Sequence, residues 1–259
     1  MKEIKLLALG DVVRPVSCEY ISKNLWRFRK ENNIDIVIAN GENSSETGGI
    51  DRESAETLLS YGVDVITTGN HVFKSFDARK LLDENKYVIR PANYPSELPG
   101  YGYTLYEAAG KTFLVINVMG VVLMEPLADP FLCVEKILEQ NKGKYDISVL
   151  DIHAEATSEK RALAFYFDGR INAVFGTHTH VQTADEQIMR GGTAYITDLG
   201  MCGPDDSVLG VDAKCIIEKL RMHTPVKFTV TGKKVTAHGA VFTFDALNGK
   251  AVKVERVSF

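Results

Sequence analysis

Short runs of β-branched and leucine residues recur along the chain, and each stops abruptly at polar residues. They occupy positions 4–9, 35–39, 63–67, 113–118, 147–152, 173–175 and 194–197. Continuous apolar runs of this length predict strands buried on both faces and flanked by helices. Helical spacing fills the gaps. Ile21, Leu25 and Phe28 fall at i, i+4 and i+7, one apolar stripe in a segment otherwise rich in Lys, Arg and Asn. Asp51 is a candidate N-cap for a helix carrying Ala55, Leu58 and Leu59 and ending near Gly62. Further helices are expected over 77–85, 131–140, 158–167 and 213–222. After Pro225 the pattern changes to a β-meander: strands at 226–230, 235–244 and 251–257, with turns at Thr231-Gly232-Lys233-Lys234 and Asn248-Gly249. The predicted fold class is α/β, a layered β-sandwich flanked by helices with a C-terminal β-meander. Polar groups gather where the strands end, the usual place for an α/β active site. No repeat, low-complexity tract or linker marks a boundary, so residues 1–259 read as a single domain.

Composition narrows this picture. With 30 Lys+Arg against 34 Asp+Glu the 259-residue chain carries a formal charge of −4, which argues against a protein that coats nucleic acid nonspecifically but leaves nucleotide substrates open. The N-terminal apolar run is only four residues, Leu6 to Leu9, before Gly10-Asp11. It is too short for a signal peptide or a membrane span, and no partnership with a membrane is expected. Cys18, Cys133, Cys202 and Cys215 are scattered without a C-x-x-C pair. They read as reduced core thiols of a cytoplasmic protein. Neither G-x-x-x-x-G-K-[ST] nor G-x-G-x-x-G occurs, so P-loop and dinucleotide-binding readings are absent.

Four of the six histidines (His71, His153, His178 and His180) lie within a few residues of a predicted strand end, as do Asp11, Glu42, Asn43 and Asn70. Imidazole nitrogen suits borderline transition metals, and carboxylate and amide oxygen suit harder ones. The candidates exceed what one tetrahedral zinc needs, and two metals bridged by one carboxylate would use seven of them. Taken singly, Gly10-Asp11 also reads as a turn or helix cap, Glu42-Asn43 as a solvated loop, and His153 as a packed histidine. His178-Thr179-His180 is the strongest signal, alternating histidines after a strand and Gly176. Asp198 and Glu155 also follow strands and read as ligand-orienting or capping residues. His223 and His238 fall outside the pattern, and Trp26 reads as core or interface. Gly48-Gly49-Ile50 and Tyr94-Pro95 are candidates for loops beside the site.

The order Gly-Asp, Gly-Glu-Asn, Gly-Asn-His, a lone His, then Gly-Thr-His-Thr-His resembles the calcineurin-like metallophosphoesterases, and more closely their YmdB-like branch of 2′,3′-cyclic-nucleotide 2′-phosphodiesterases. The likeness extends through Ala39-Asn40-Gly41-Glu42-Asn43, Arg90-Pro91-Ala92-Asn93-Tyr94-Pro95, Met124-Glu125-Pro126-Leu127, residues 153–160 and residues 176–186. Two departures from the wider superfamily are shared with this branch: no His follows Gly10-Asp11, and Glu42 stands where an Asp is usual. The resemblance implies Asp11, Asn43 and His180 on a first metal, Asn70, His153 and His178 on a second, and Glu42 bridging both. His71 would be the proton donor. It further implies two divalent or trivalent ions, Fe or Mn before Zn, Co or Ni, and attack by a metal-bridged hydroxide on a small 2′,3′-cyclic nucleotide to leave a 3′-phosphate. Two other readings stay open: a metal- and nucleotide- or RNA-binding regulator of slow turnover, and a phosphohydrolase or amidohydrolase of other specificity. RNA ends and a second copy of the chain stay open as partners.

Overall fold

Alternate residues of the first strand face two different cores. Ile4, Leu6 and Ala8 pack into one, Leu7 and Leu9 into another, which is the two-sided burial implied by an unbroken apolar run. The computed structural model describes residues 2–229 and 234–259. In chain order it holds β1 (Glu3–Val13), α1 (Arg14–Asn32), β2 (Ile36–Asn43), α2 (Arg52–Ser60), β3 (Val65–Thr67) and α3 (Ala78–Glu84). Next come β4 (Tyr103–Ala108), β5 (Lys111–Met119), α4 (Pro130–Gln140), β6 (Ile147–His153), α5 (Thr157–Tyr166) and β7 (Ala173–Thr177). The last are β8 (Gln187–Ile188), β9 (Ala194–Ile196), β10 (Met201–Pro204), α6 (Ala213–Met222), β11 (Val235–Asp245) and β12 (Ala251–Ser258). The expected N-cap of α2 is present: Asp51 Oδ1 accepts from Ser54 N at 2.9 Å, and Ser54 Oγ accepts from Asp51 N at 3.2 Å, a reciprocal capping box.

The strands form two six-stranded sheets, ordered β12-β11-β10-β1-β2-β3 and β4-β5-β6-β7-β9-β8. Strands β1, β2, β3 and β10 run parallel, as do β5, β6, β7 and β9. The sheets face each other across a core that includes Leu6, Ile38, Phe242, Val115, Val149 and Phe175. On the outer face of the first sheet, Leu7 and Val37 meet Ile21 and Leu25 of α1. On that of the second, Leu114 and Leu150 meet Val134 of α4 and Leu163 of α5. The result is the predicted helix–sheet–sheet–helix sandwich.

Several expectations need correction. The C-terminal meander is a two-stranded hairpin: residues 226–229 are not strand, and most of the expected first turn falls outside the described residues. Strands β4, β8 and β10 go beyond the predicted set; β4 lies at a sheet edge with mixed burial, and β10 is held by its neighbours β1 and β11 rather than by an apolar run. Trp26 is 55% exposed and is not core. Of the four free cysteines only Cys18 and Cys202 are buried, while Cys133 and Cys215 are half-exposed. Among the described residues no helix is long and apolar enough to cross a membrane.

Candidate metal centre

The parallel strands of both sheets direct their C-terminal ends to one rim, and all eight candidate residues meet there. From the first sheet come Asp11 of β1, Glu42 and Asn43 at the end of β2, and Asn70 and His71 just after β3. From the second come His153 at the end of β6 and His178 and His180 just after β7. The register between β1 and β2 shifts on both sides of Asp11, an irregularity that re-aims a side chain at a strand end. Close packing leaves no room at Gly69, where a Cβ would fall 2.2 Å from the His153 ring and 2.5 Å from Glu42 Oε2.

Donor atoms converge in two groups, Glu42–His153–His178 and Asp11–Glu42–His180, each with its atoms within 4.8 Å of one another. Glu42 belongs to both. Its Oε2 lies 3.2 Å from His153 Nε2, and its Oε1 lies 3.2 Å from His71 Nδ1 and 2.7 Å from Asn43 Nδ2. Asn70 Oδ1 stands 3.0 Å from His153 Nε2, which also faces His178 Nδ1 at 3.2 Å. Asp11 Oδ2 accepts from His178 N at 3.0 Å, and Asp11 Oδ1 lies 3.7 Å from His180 Nε2. Asp11, Glu42 and His153 are buried.

Burial sets the electrostatics. It raises the Asp11 carboxyl above the usual range against the pull of His180 and His153. Burial would raise Glu42 as well, but His153 and His71 outweigh it and hold its carboxyl well below the usual range. Desolvation opposes charge on His153, yet Glu42, Asp11 and Asp151 carry its imidazole to about 9, whereas burial and the neighbouring His153 push His178 down to about 4. Asp11 Oδ1 and His180 Nδ1 are buried and, among the described residues, have no hydrogen-bond partner. An orphaned carboxylate oxygen in a dry site is costly unless a cation faces it. The nitrogen and oxygen donors therefore fit metal ions.

A second layer of residues orients these groups. His153 Nδ1 bonds Thr177 Oγ1 at 2.9 Å; Thr177 Oγ1 donates to Asp151 Oδ1 at 2.8 Å, and Asp151 Oδ2 accepts from Thr67 Oγ1 and Asn40 Nδ2. His178 (φ 96°) and His180 (φ 62°) both adopt left-handed backbone, a conformation that must be held in place. Between them Thr179 donates its N–H and hydroxyl to Asp198 Oδ2, at 3.2 and 2.7 Å. Asp198 is paired at 2.7 Å with Lys160 Nζ, which also donates to Thr177 O; both ionic side chains are fully buried. Asp198 thus anchors the two-histidine turn and caps no helix. Glu155 Oε2 lies 3.1 Å from His178 Nε2. Sequence reasoning missed Lys160, Asp151 and Thr67, because an isolated Lys on a helix or Asp within an apolar run gives no local sign of its tertiary partner. His223 caps the C-terminus of α6, and His238 faces Asp205 on β11, both away from the centre.

A two-sheet sandwich with such a donor set at its rim has the fold of the calcineurin-like metallophosphoesterases. The model of the YmdB-like protein family matches residues 7–257, and the chain belongs to that family. It is 41% identical to the 2′,3′-cyclic-nucleotide 2′-phosphodiesterase of Bacillus subtilis (strain 168), over 98% of this chain and 96% of the relative. Among solved structures, a hypothetical protein from Thermus thermophilus superposes with a TM-score of 0.91 at 37% identity, covering 99% of each chain. A novel phosphatase from Mycoplasma pneumoniae superposes with a TM-score of 0.92 at 32% identity, over 100% of this chain and 94% of that one.

Proposed function

We propose that the protein hydrolyses 2′,3′-cyclic nucleotides to 3′-nucleotides at a centre of two metal ions. Asp11, Asn43 and His180 would hold one ion, Asn70, His153 and His178 the other, and Glu42 both. The observation that carries this reading is the membership of Glu42 in both donor groups. The name of the Bacillus subtilis relative supports the substrate class. Bound there, the pair of ions would neutralise phosphate oxygens and lower the pKa of water. Nitrogen and oxygen donors without a thiolate suit Fe or Mn.

The chain's own residues supply orientation and a proton. His71 Nδ1 faces two acceptors, Glu42 Oε1 at 3.2 Å and Asn43 Oδ1 at 3.1 Å, so Nδ1–H is held there and Nε2 is the nitrogen through which the imidazolium form would give its second proton. The His71 side chain is 39% exposed, open enough to reach a substrate oxygen. It lines both a cavity of about 500 Å³ bounded by Leu123, Met124 and Pro126 and a cavity of about 390 Å³ bounded by Arg14, Gly48 and Lys74. In this role His71 protonates the departing 2′-oxygen, leaving the phosphate on the 3′ position. Asn43 now presents its Nδ2 to Glu42 and its Oδ1 to His71; service as a ligand through Oδ1 takes a half-turn of the amide, after which Glu42 Oε1 alone accepts from His71 Nδ1.

Elemental analysis followed by turnover of 2′,3′-cyclic AMP, 3′,5′-cyclic AMP and p-nitrophenyl phosphate tests this reading. Two metals per chain and selective cleavage of the first substrate are expected; two metals with no hydrolysis of any would favour a regulatory role. His71→Ala keeps its metals and loses about 10²–10⁴ in kcat, the usual worth of a general acid. Undiminished turnover in that variant removes His71 from the mechanism.

A further inference from the structure

Two cations stand at the mouth of the site with no carboxylate partner among the described residues. Arg14 leaves β1 in left-handed backbone (φ 69°), and its guanidinium donates to the carbonyl of Glu46. Lys74 lies against the same loop: a Cβ on Gly48 (φ 77°) would fall 2.9 Å from Lys74 Nζ, and one on Gly49 3.0 Å from Lys74 Cβ. Two glycines therefore clear the path along which the lysine crosses the loop. Both side chains line the roughly 390 Å³ cavity together with Glu42, His71 and His180. The ion pairs of the site are made by His71, His153, His178 and His180, and among the described residues no carboxylate oxygen comes within 4.0 Å of either cation.

Solvated lysines and arginines are common on protein surfaces, but this pair differs in two respects. A left-handed non-glycine residue costs on the order of 1 kcal/mol or more and persists where the surroundings hold it, as the Glu46 carbonyl holds Arg14. The chain as a whole is acidic, at −4, so the two cations do not belong to a general basic coat. Charge arithmetic then points to a ligand. A cyclic phosphodiester carries one negative charge, and two divalent ions less the charges of Asp11, Glu42 and Glu155, which lines the same cavity, already balance it. Two further positive charges at the mouth, one a planar fork suited to phosphate oxygens and one a mobile point charge, are surplus to that phosphate.

We infer that Arg14 and Lys74 form a second phosphate subsite, so that the favoured substrate carries a phosphate besides the cyclic one. This rests on the phosphodiesterase reading above. The second phosphate has two chemical sources, the 5′-phosphate of a nucleotide or the internucleotide phosphate of an RNA end.

The test uses the full-length, metal-loaded protein with three substrates: adenosine 2′,3′-cyclic phosphate, the same compound bearing a 5′-phosphate, and an adenylyl-adenosine dinucleotide with a 2′,3′-cyclic end. The expected result is a kcat/KM at least tenfold higher for a substrate with the second phosphate, carried by KM and shrinking as salt is raised, since exposed charges are screened. In the Arg14→Met/Lys74→Met protein that ratio falls to near one, while Arg14→Lys and Lys74→Arg keep part of it. Preference for the 5′-phosphate alone identifies the nucleotide source, and preference for the dinucleotide alone the RNA end. A second readout needs no turnover: by calorimetry adenosine 3′,5′-bisphosphate should bind at least tenfold more tightly than adenosine 3′-phosphate, and only with both cations present. Equal kcat/KM across the three substrates, or a preference that survives the double substitution, overturns the subsite. If none of the three is cleaved, the parent reading fails, and the calorimetric ratio still decides for or against the subsite.

Discussion

The two donor groups that share Glu42 are built in opposite ways. In the group of His153 and His178 the polar atoms find partners within the chain: His153 is backed by Thr177, Thr177 by Asp151, and Asp151 by Thr67 and Asn40. In the group of Asp11 and His180, Asp11 Oδ1 and His180 Nδ1 are buried with no partner among the described residues. Fully bonded polar networks hold their shape and specify one arrangement, whereas unpaired buried groups wait for an external charge. The first group is thus pre-organised and the second completed by what it binds. The turn that carries His178 and His180 belongs to both, and it is fixed from beneath by Asp198 and Lys160.

The largest effect should come from the shared residue. Glu42→Gln removes the common carboxylate and is expected to release at least one metal and abolish detectable turnover; two metals retained per chain would rule out its joint role. Next comes the support under the turn. Lys160→Met strands the buried Asp198 charge and should lower unfolding free energy by about 3–5 kcal/mol, the usual cost of breaking a buried pair, as read from denaturant midpoints of metal-free protein. A loss near zero would mean the pair does not anchor the turn.

Asp151→Asn sharpens the contrast, because it alters only the backing of the pre-organised group. Loss of such an outer partner typically weakens metal binding about 10–100-fold, and metal titration should show one site weakened and the other little changed. Equal weakening of both would erase the distinction. The smallest effect lies outside the centre, at Asp185. Burial would raise its carboxyl, but hydrogen bonds from Thr197 and Thr183 and the charge of Arg161 hold it below the ordinary value. A carboxyl depressed in the folded state contributes stability above its unfolded pKa, near 3.8, and loses it as pH falls through the folded value. Asp185→Asn should therefore cost roughly 1–2 kcal/mol at pH 7 and almost nothing at the acid end of the transition, with metal content unchanged.

Much of this arrangement is legible in the residues. Strands predicted from apolar runs appear at β1, β2, β3, β5, β6, β7 and β9, because a strand covered on both faces needs an unbroken apolar stretch. Polar residues directly after those runs mark the rim, so Asp11, Glu42, Asn43, Asn70, His71, His153, His178 and His180 can be gathered from the sequence by itself. Strand β10, with sequence Met-Cys-Gly-Pro, has no such signature; its pairing with β1 and β11 makes it a strand. Residues 226–229 show the reverse: alternating apolar and polar side chains suggest a strand, yet among the described residues no sheet neighbour pairs with them. Lys160 looks like one more charge on the solvent side of a helix, and only the approach of Asp198 explains its complete burial.

Asp11, near the start of the chain, receives the amide of His178, 167 positions later, so the donor cluster is a seam stitched between distant portions of the polypeptide. During synthesis the first sheet's donors emerge well before the histidines after β7, and a product truncated ahead of His178 lacks one member of each donor group. Cation capture should thus report that the two sheets have docked, and a loaded molecule should melt as one unit.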